Sequence, residues 1–332
     1  MNTVKLEDIA RELNLSVSTV SRAISGKGRV GDRTRARVQA AVRESGYRIN
    51  DVARSLRMQK AQNMGIIVPD ISNAFFASVV KGAQQRCQEN GYTLFVCNSD
   101  ENPDIEAGTL EMLLSKQVSG LVLASVRERE AIIGQYGSLG IPIVYIDNIP
   151  QGADLCDCVS IDNYAASMRL TLAMIDRGYR ELCMITGPQS QSSGYLRKKG
   201  FEAALAERGL PVRPEWLRVG TFTMDSGYQL MGQLLLSDRR PRAMLFANNA
   251  IAYGAMRALR EAGLSVPGEM AIAAFDAKDE TGLIQPLITS LNQPAQQIGA
   301  RAIETVIRRL KRDEPIVSPQ LLEPSFIEGD SW

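Results

Sequence analysis

The chain offers two sets of side chains whose types and spacing suit hydrogen-bonded recognition. In the first, short apolar runs end on Asp70, Ser72 and Asn73, on Ser125 and Arg127, on Asp147 and Asn148, on Phe222, on Asn248 and Asn249, and on Asp276. Arg197 stands at the start of a helical stretch. Any one of these residues alone reads equally well as a helix cap or a loop residue. As a set beyond the ends of parallel strands they converge on one cleft, and carboxylates, amides and a guanidinium there form a binding site. The second set lies near the N-terminus, where Val17, Ser18, Ser21 and Arg22 form the outward face of a short helix. Such a face does not crowd the floor of a DNA groove. Val17 suits a thymine methyl, Ser18 a single hydroxyl bond, and Arg22 a fork onto guanine, whereas Ser16, Thr19, Ser21 and Arg29 suit phosphates.

Common catalytic constellations are missing. The chain has no histidine, which excludes Ser-His-Asp and Cys-His nucleophilic sites and His-ligated metal hydrolases. Lysine or carboxylate chemistry stays open, but no Walker A string is present, and no enzyme is expected. Gly26 to Gly31 spells GxGxxG, yet a polar helix rather than a buried strand precedes it, so it reads as a turn. Cys87, Cys97, Cys156, Cys158 and Cys183 are odd in number and lack a CxxC. They read as reduced small hydrophobes, and neither metal nor cofactor is expected.

Three helices must position the N-terminal set. Leu6, Ile9, Ala10 and Leu13 fall at i, i+3, i+4 and i+7, an amphipathic stripe. Asn14 and Leu15 interrupt it, and Ser16 can cap a helix from Val17 to Ser25 that turns Val20 inward. A third helix, Thr34 to Ser45, carries Val38, Ala41 and Val42 on one side, with Asp32 as its cap and Gly46 as its stop. Three short helices around one small core make a helix-turn-helix module, whose second helix enters the major groove. Residues 1–60 hold thirteen Lys or Arg against six Asp or Glu, whereas the whole chain is only +1. A basic head on an acidic body fits contact with phosphate at one end; a solvated helix face is the plain alternative for Arg33, Arg35 and Arg37.

Beyond Met64 the pattern becomes strand and helix in alternation. Apolar runs at Gly65–Asp70, Tyr92–Asn98, Gly120–Ser125 and Ile141–Asp147 are separated by helical stretches such as Ala74–Asn90 and Asp104–Lys116. After Val159–Asp162 the rhythm repeats through ELCMITG, WLRVGTF, AMLFANN and MAIAAFD. Continuous apolar strands with intervening helices indicate parallel sheets covered on both faces, here as two lobes. The composition, 45% hydrophobic and 23% charged, is that of ordinary soluble protein. The start MNTVKLEDIARE is too polar for a signal peptide, and no run reaches the ~18 apolar residues of a membrane span. A cytoplasmic protein with no membrane partner is expected.

DIARELNLSVSTVSRAI, VRESGYRINDVARSL, MGIIVPDISNAFF, GIPIVYIDN, VSIDNYAAS, RKKGF, LFANNAIAYGAMRAL, IAAFDA and LNQPAQQIGARAIE occur in this order. The chain resembles the LacI/GalR family of bacterial transcriptional regulators along nearly its whole length; the head string is highly specific, each body string weakly so. The resemblance implies a helix-turn-helix head at 1–46 and a linker with a hinge helix at 47–60. It also implies a body at 61–332 of two lobes of the type I periplasmic-binding-protein kind, an N-lobe of about 61–162 and 292–320 and a C-lobe of about 163–291 and 321–332. Arg197, Asp276, Asn248 and Asp147 match effector-contacting positions, and Phe222 and Phe75 match wall positions. With Asn73, Ser125 and Arg127 they form the expected effector site. A guanidinium and a carboxylate across an aromatic floor suit vicinal hydroxyls.

Family members usually carry Asp where this chain has Asn249. That loss of charge, with Arg127 nearby, favours a sugar or a sugar acid as effector. By resemblance, paired hinge helices around Asn50, Ala53 and Leu56 order only on operator DNA and insert Leu56 into the minor groove; packing of Leu56 under the body is the alternative. The ending after LLEPSFIE, read as the last strand, leaves no room for a coiled coil, so a homodimer reading a pseudo-palindromic operator is expected. Ligand in the cleft should then switch operator binding, by family resemblance as release of a repressor from carbohydrate or sugar-acid catabolic genes; a corepressor- or phosphometabolite-dependent regulator of the same family, or a sugar-binding protein without a DNA role, is the alternative.

Overall fold

The computed structural model describes residues 6–25, 30–45, 62–129, 133–153, 157–279, 281–311 and 319–332. These fall into two compact units, residues 1–61 and 62–332. Arg29, Asn50, Ala53, Leu56 and Cys156 lie outside the described residues. In the first unit α1 (Leu6–Glu12), α2 (Val17–Ser25) and α3 (Asp32–Ser45) enclose Ile9, Ala10, Val20, Ala23, Val38 and Ala41, with Leu6 and Leu13 packed alongside. So small a core rests on few groups, each buried Val or Ile contributing about 1.5–3 kcal/mol. Asn14 turns the chain with a φ of 52°, a left-handed conformation that Asn tolerates. Ser16 caps α2 by accepting from the Thr19 amide at 3.1 Å. Asp32 is not the cap of α3. It is the first helical residue, where its charge complements the helix dipole, and Gly31 O accepts from Arg35 N at 3.0 Å instead.

The second unit contains two six-stranded sheets. Its N-lobe runs β1 (Asn63–Val68), α4 (Ala74–Glu89), β2 (Thr93–Asn98), α5 (Pro103–Ser115), β3 (Gly120–Leu123), α6 (Ile133–Ser138), β4 (Ile143–Ile146) and β5 (Asp157–Ser160). The C-lobe follows with α7 (Asn163–Asp176), β6 (Leu182–Thr186), α8 (Ser192–Glu207), β7 (Leu217–Val219), α9 (Met224–Leu235), β8 (Ala243–Phe246), α10 (Asn249–Glu261), β9 (Ala271–Phe275) and β10 (Thr289–Asn292). The chain then returns to the N-lobe with α11 (Ala295–Lys311), which packs on α4 and on β3 to β5, and closes with β11 (Gln320–Leu321) and β12 (Ser325–Ile327).

The N-lobe order is β11-β5-β4-β3-β1-β2 and the C-lobe order β12-β10-β9-β8-β6-β7. All described pairings are parallel except β10 with β12. The central strands β3, β4, β6, β8 and β9 are buried along their whole length, as apolar strands covered on both faces must be. Gly82 and Gly299 bring α4 and α11 into backbone contact: a β-carbon would meet Gln296 O at 2.0 Å in one and Val79 O at 1.9 Å in the other. The single closing strand expected around LLEPSFIE is two short ones, one in each sheet. Pro324 separates them, because it cannot donate a ladder bond. Among the described residues no helix is long and apolar enough to cross a membrane.

Candidate functional site

The carboxyl ends of the strands in the second unit surround a cavity lined by residues of both lobes. On the C-lobe side Arg197 emerges from the second turn of α8, not from its start. It is 2% exposed. Its Nε donates to Asn163 Oδ1 at 2.8 Å and its Nη1 to the Ala247 carbonyl, while the guanidinium lies 4.2 Å from the centre of the Phe275 ring. Nη2 has no partner among the described residues. Burial pulls the pKa of this guanidinium down, and Asp276 and Asp147 counter the shift by stabilising its charge.

Asp276 follows β9 with a left-handed φ of 56°. Its carboxylate accepts from Gln293 N at 2.8 Å and Gln293 Nε2 at 2.7 Å. Burial raises its pKa, against the opposing influence of Arg197 and Gln293. Asp147 ends β4 in the same backbone conformation, at φ 55°. Burial pushes its carboxyl up to about 6; Arg197 and a Gln293 hydrogen bond pull it down, and Asp276 adds to the rise. Phe222 lies flat against Gly187, where a β-carbon would come within 2.4 Å of its Cζ. The Phe222 carbonyl accepts from Asn248 Nδ2 at 3.2 Å, and Asn248 Oδ1 caps α10 by accepting from Ile251 N at 2.9 Å. With both ends of its amide engaged, Asn248 fixes the aromatic wall as much as it lines the cavity.

The lobes are tied across the cleft by side-chain amides. Asn73 caps α4 by accepting from Phe75 N at 3.0 Å, and its amide pairs reciprocally with that of Asn249, both bonds being 3.0 Å. Gln191, at the N-cap of α8, makes no side-chain cap bond. Asn148 of the N-lobe supplies one instead, accepting from Ser193 N at 3.2 Å and Ser193 Oγ at 2.6 Å, and it donates to Gln191 Oε1 at 2.8 Å.

This arrangement offers hydrogen-bond donors, acceptors and aromatic faces to a small molecule. A family model described as periplasmic binding proteins and sugar binding domain of the LacI family matches residues 61–319, and one described as bacterial regulatory proteins, lacI family, matches residues 5–54. The chain belongs to the LacI family. It is 32% identical over 311 residues to catabolite control protein A of Priestia megaterium, covering 93% of each chain. The solved structure of the transcriptional regulator CelR with cellobiose is similar at 27% identity and a TM-score of 0.74, with 99% of this chain and 100% of that one covered. A lac repressor dimer bound to operator and the anti-inducer ONPF shares the fold, with a TM-score of 0.88 and 99% of each chain covered at 23% identity. The chain is thus a DNA-binding regulator with a ligand-binding body, and not an enzyme.

In this LacI-family body the structure brings Asn73, Phe75, Asp147, Arg197, Phe222, Asn248 and Asp276 together around the cavity. Ser125 and Arg127 are not in its lining. Glu106 on α5 is 1% exposed, and its buried carboxylate draws both residues to itself. Ser125 Oγ donates to Glu106 Oε1 at 3.1 Å, Arg127 Nε stands 3.3 Å from the same oxygen, and Arg127 Nη2 donates to the Pro103 carbonyl at 2.6 Å. Glu101, Phe76, Ser193 and Gln293 line the cavity without having been anticipated. Glu101 follows β2, so the same strand-end rule would have found it had it been applied to that strand, and Gln293 follows β10.

In the LacI-family head, Ser18 and Arg22 are exposed on α2, whereas Val17, Thr19 and Ser21 are half-buried. Val17 packs against the head's core, which leaves only part of its side chain to a base. The Ser16 hydroxyl is shared with Thr19 Oγ1 at 2.7 Å and Ser18 Oγ at 2.9 Å. Of the thiols described, Cys87, Cys97, Cys158 and Cys183 are free, and burial pushes Cys87 up to about 12.

Proposed function

We propose that the chain is a cytoplasmic, homodimeric repressor whose hold on a pseudo-palindromic operator is released by a small polyhydroxylated ligand bound in the interlobe cavity. The observation that carries this reading is the unpartnered Nη2 of the almost fully buried Arg197, a residue that lines the same cavity as four carboxylates and an aromatic wall. A buried donor without a partner costs about 1–3 kcal/mol, and a hydroxylated ligand supplies the missing acceptor. The sugar-binding description of the matching family model and the cellobiose in the CelR structure support a sugar-like polyol. A sugar acid rests on Asn249 in place of Asp and on a nearby Arg127, and Arg127 is held by Glu106. The same reading takes 1–46 as the operator-binding head, 47–60 as the hinge and 61–332 as the body that senses ligand and dimerises.

The test is operator binding by the purified chain, on a duplex selected from a random library, with and without a panel of sugars. Release by a polyol in the wild type and no release in Arg197→Ala are expected; release in both would place the effector elsewhere. Within the head, Arg22→Ala is expected to lose about 1–3 kcal/mol at one base pair and to flatten preference there. Equal weakening on all sequences would make Arg22 a phosphate contact.

A further inference from the structure

The charge balance of the cavity is lopsided. Asp70, Glu101, Asp147 and Asp276 line it, and Arg197 is the one cation in its described lining. That guanidinium is already committed, through Nε to Asn163 and Nη1 to Ala247, and Asp276 and Asp147 are the carboxylates that stabilise its charge. Asp70 and Glu101 therefore face the cavity with no cation of their own. Asp70 Oδ1 accepts from Ser72 N at 2.9 Å and Ser72 Oγ at 2.6 Å, and Glu101 Oε2 accepts from Gln191 Nε2 at 2.9 Å. Gln293, only 7% exposed, directs its Nε2 to Asp276 and leaves its Oε1 without a partner. Unmet capacity in the cavity is thus mostly acceptor capacity. Burial raises the Glu101 pKa against the opposing Gln191 hydrogen bond, and Asp147 and Asp70 add to the rise, so charge crowding extends over the N-lobe side.

Resting on the reading of the cavity as a polyol site, we propose that its ligand also carries a protonated amine, held on the N-lobe side among Asp70, Glu101 and Asp147, which makes the effector class an amino sugar. An ammonium brings three donors and no acceptor, the complement of what this side presents. Its bonds to carboxylates are charge-assisted and about twice as strong as neutral ones. Phe75, Phe76 and Phe222 give the sugar ring an apolar face and can add cation–π attraction. A uronate would bring one more carboxylate to a cavity that already holds four.

Calorimetry at neutral pH on the full chain decides the matter, with glucosamine, galactosamine and mannosamine set against their neutral parents and the corresponding uronates. In at least one stereochemical series the amine is expected to bind about tenfold or more tightly than its neutral parent, with the uronate weakest. In the double variant Asp70→Asn, Glu101→Gln that ratio should fall to about threefold or less. Equal or tighter binding of a neutral sugar or uronate in the wild type would overturn the amine while leaving the polyol reading intact, and so would an unchanged ratio in the variant. Binding by none of the nine compounds would overturn the polyol reading, and the amine with it.

Discussion

The two walls of the cleft are built differently. On the C-lobe side Arg197 is locked by Asn163, Ala247 and the Phe275 ring, and Asn248 is locked between a helix amide and the Phe222 carbonyl. Those groups are already in place before a ligand arrives, with Nη2 of Arg197 left over for it. On the N-lobe side the polar groups sit on turns, Glu101 and Asp147 at left-handed φ of 54° and 55°, and much of their hydrogen bonding reaches across to the other lobe. Asn73 pairs with Asn249, Asn148 caps α8, and Glu101 accepts from Gln191. One wall is preorganised for a ligand and the other for closing over it. On the proposed reading, that division of labour would couple occupancy of the cavity to the angle between the lobes.

The harshest way to break the comparison is Arg197→Ala. It removes the preorganised donor and the positive charge that favours the ionised forms of the buried Asp147 and Asp276. Ligand affinity should fall about a hundredfold and the denaturation midpoint should drop; calorimetry and chemical denaturation measure the two. Retention of affinity within threefold would show that the C-lobe wall is not the anchor.

Acidity reaches both walls. The Asp147 carboxyl is pushed up to about 6 by burial, with Asp276 adding and Arg197 and Gln293 opposing. Between its ordinary value of about 4 and that raised value, the folded chain holds a proton that the unfolded chain has released. Stability of the ligand-free protein should therefore fall as pH rises from about 4 to about 6 and level off above. The raised pKa of Asp276 acts in the same direction. Thermal midpoints measured across that window should show the fall in the wild type and a flatter profile in Asp147→Asn. An unaltered slope in the variant would remove Asp147 as its source.

The smallest expected effect belongs to the closing wall. Asn249→Ala deletes the reciprocal amide pair with Asn73, worth about 1 kcal/mol, and ligand affinity should weaken about fivefold with the C-lobe contacts intact. Unchanged affinity would mean that the amide pair does not contribute to closure.

How much of this was legible in the sequence follows the same division. Asp276, Asn248 and Asp147 were readable because each immediately ends a long apolar run, and the helix-turn-helix head because one stripe and one cap define it. Ser125 and Arg127 end an apolar run too, but the tertiary partner that captures them, Glu106, lies about twenty positions upstream in a helix pattern where nothing marks it as buried. Gln293 was missed because β10, TSLN, is too short and polar to read as a strand. The amide ties between lobes could not be read at all, since Asn73 and Asn249 stand 176 residues apart. Local periodicity reports burial, whereas partners across a cleft depend on how two lobes meet.

The central claim, that the cavity and the operator are linked, is tested most directly by measuring ligand affinity by calorimetry on the free protein and on the protein saturated with its selected operator. Linkage requires operator to change ligand affinity by the same factor by which ligand changes operator affinity. The account predicts a reciprocal weakening of about 5- to 150-fold, the usual range of such coupling. The same ligand affinity with and without operator would contradict it.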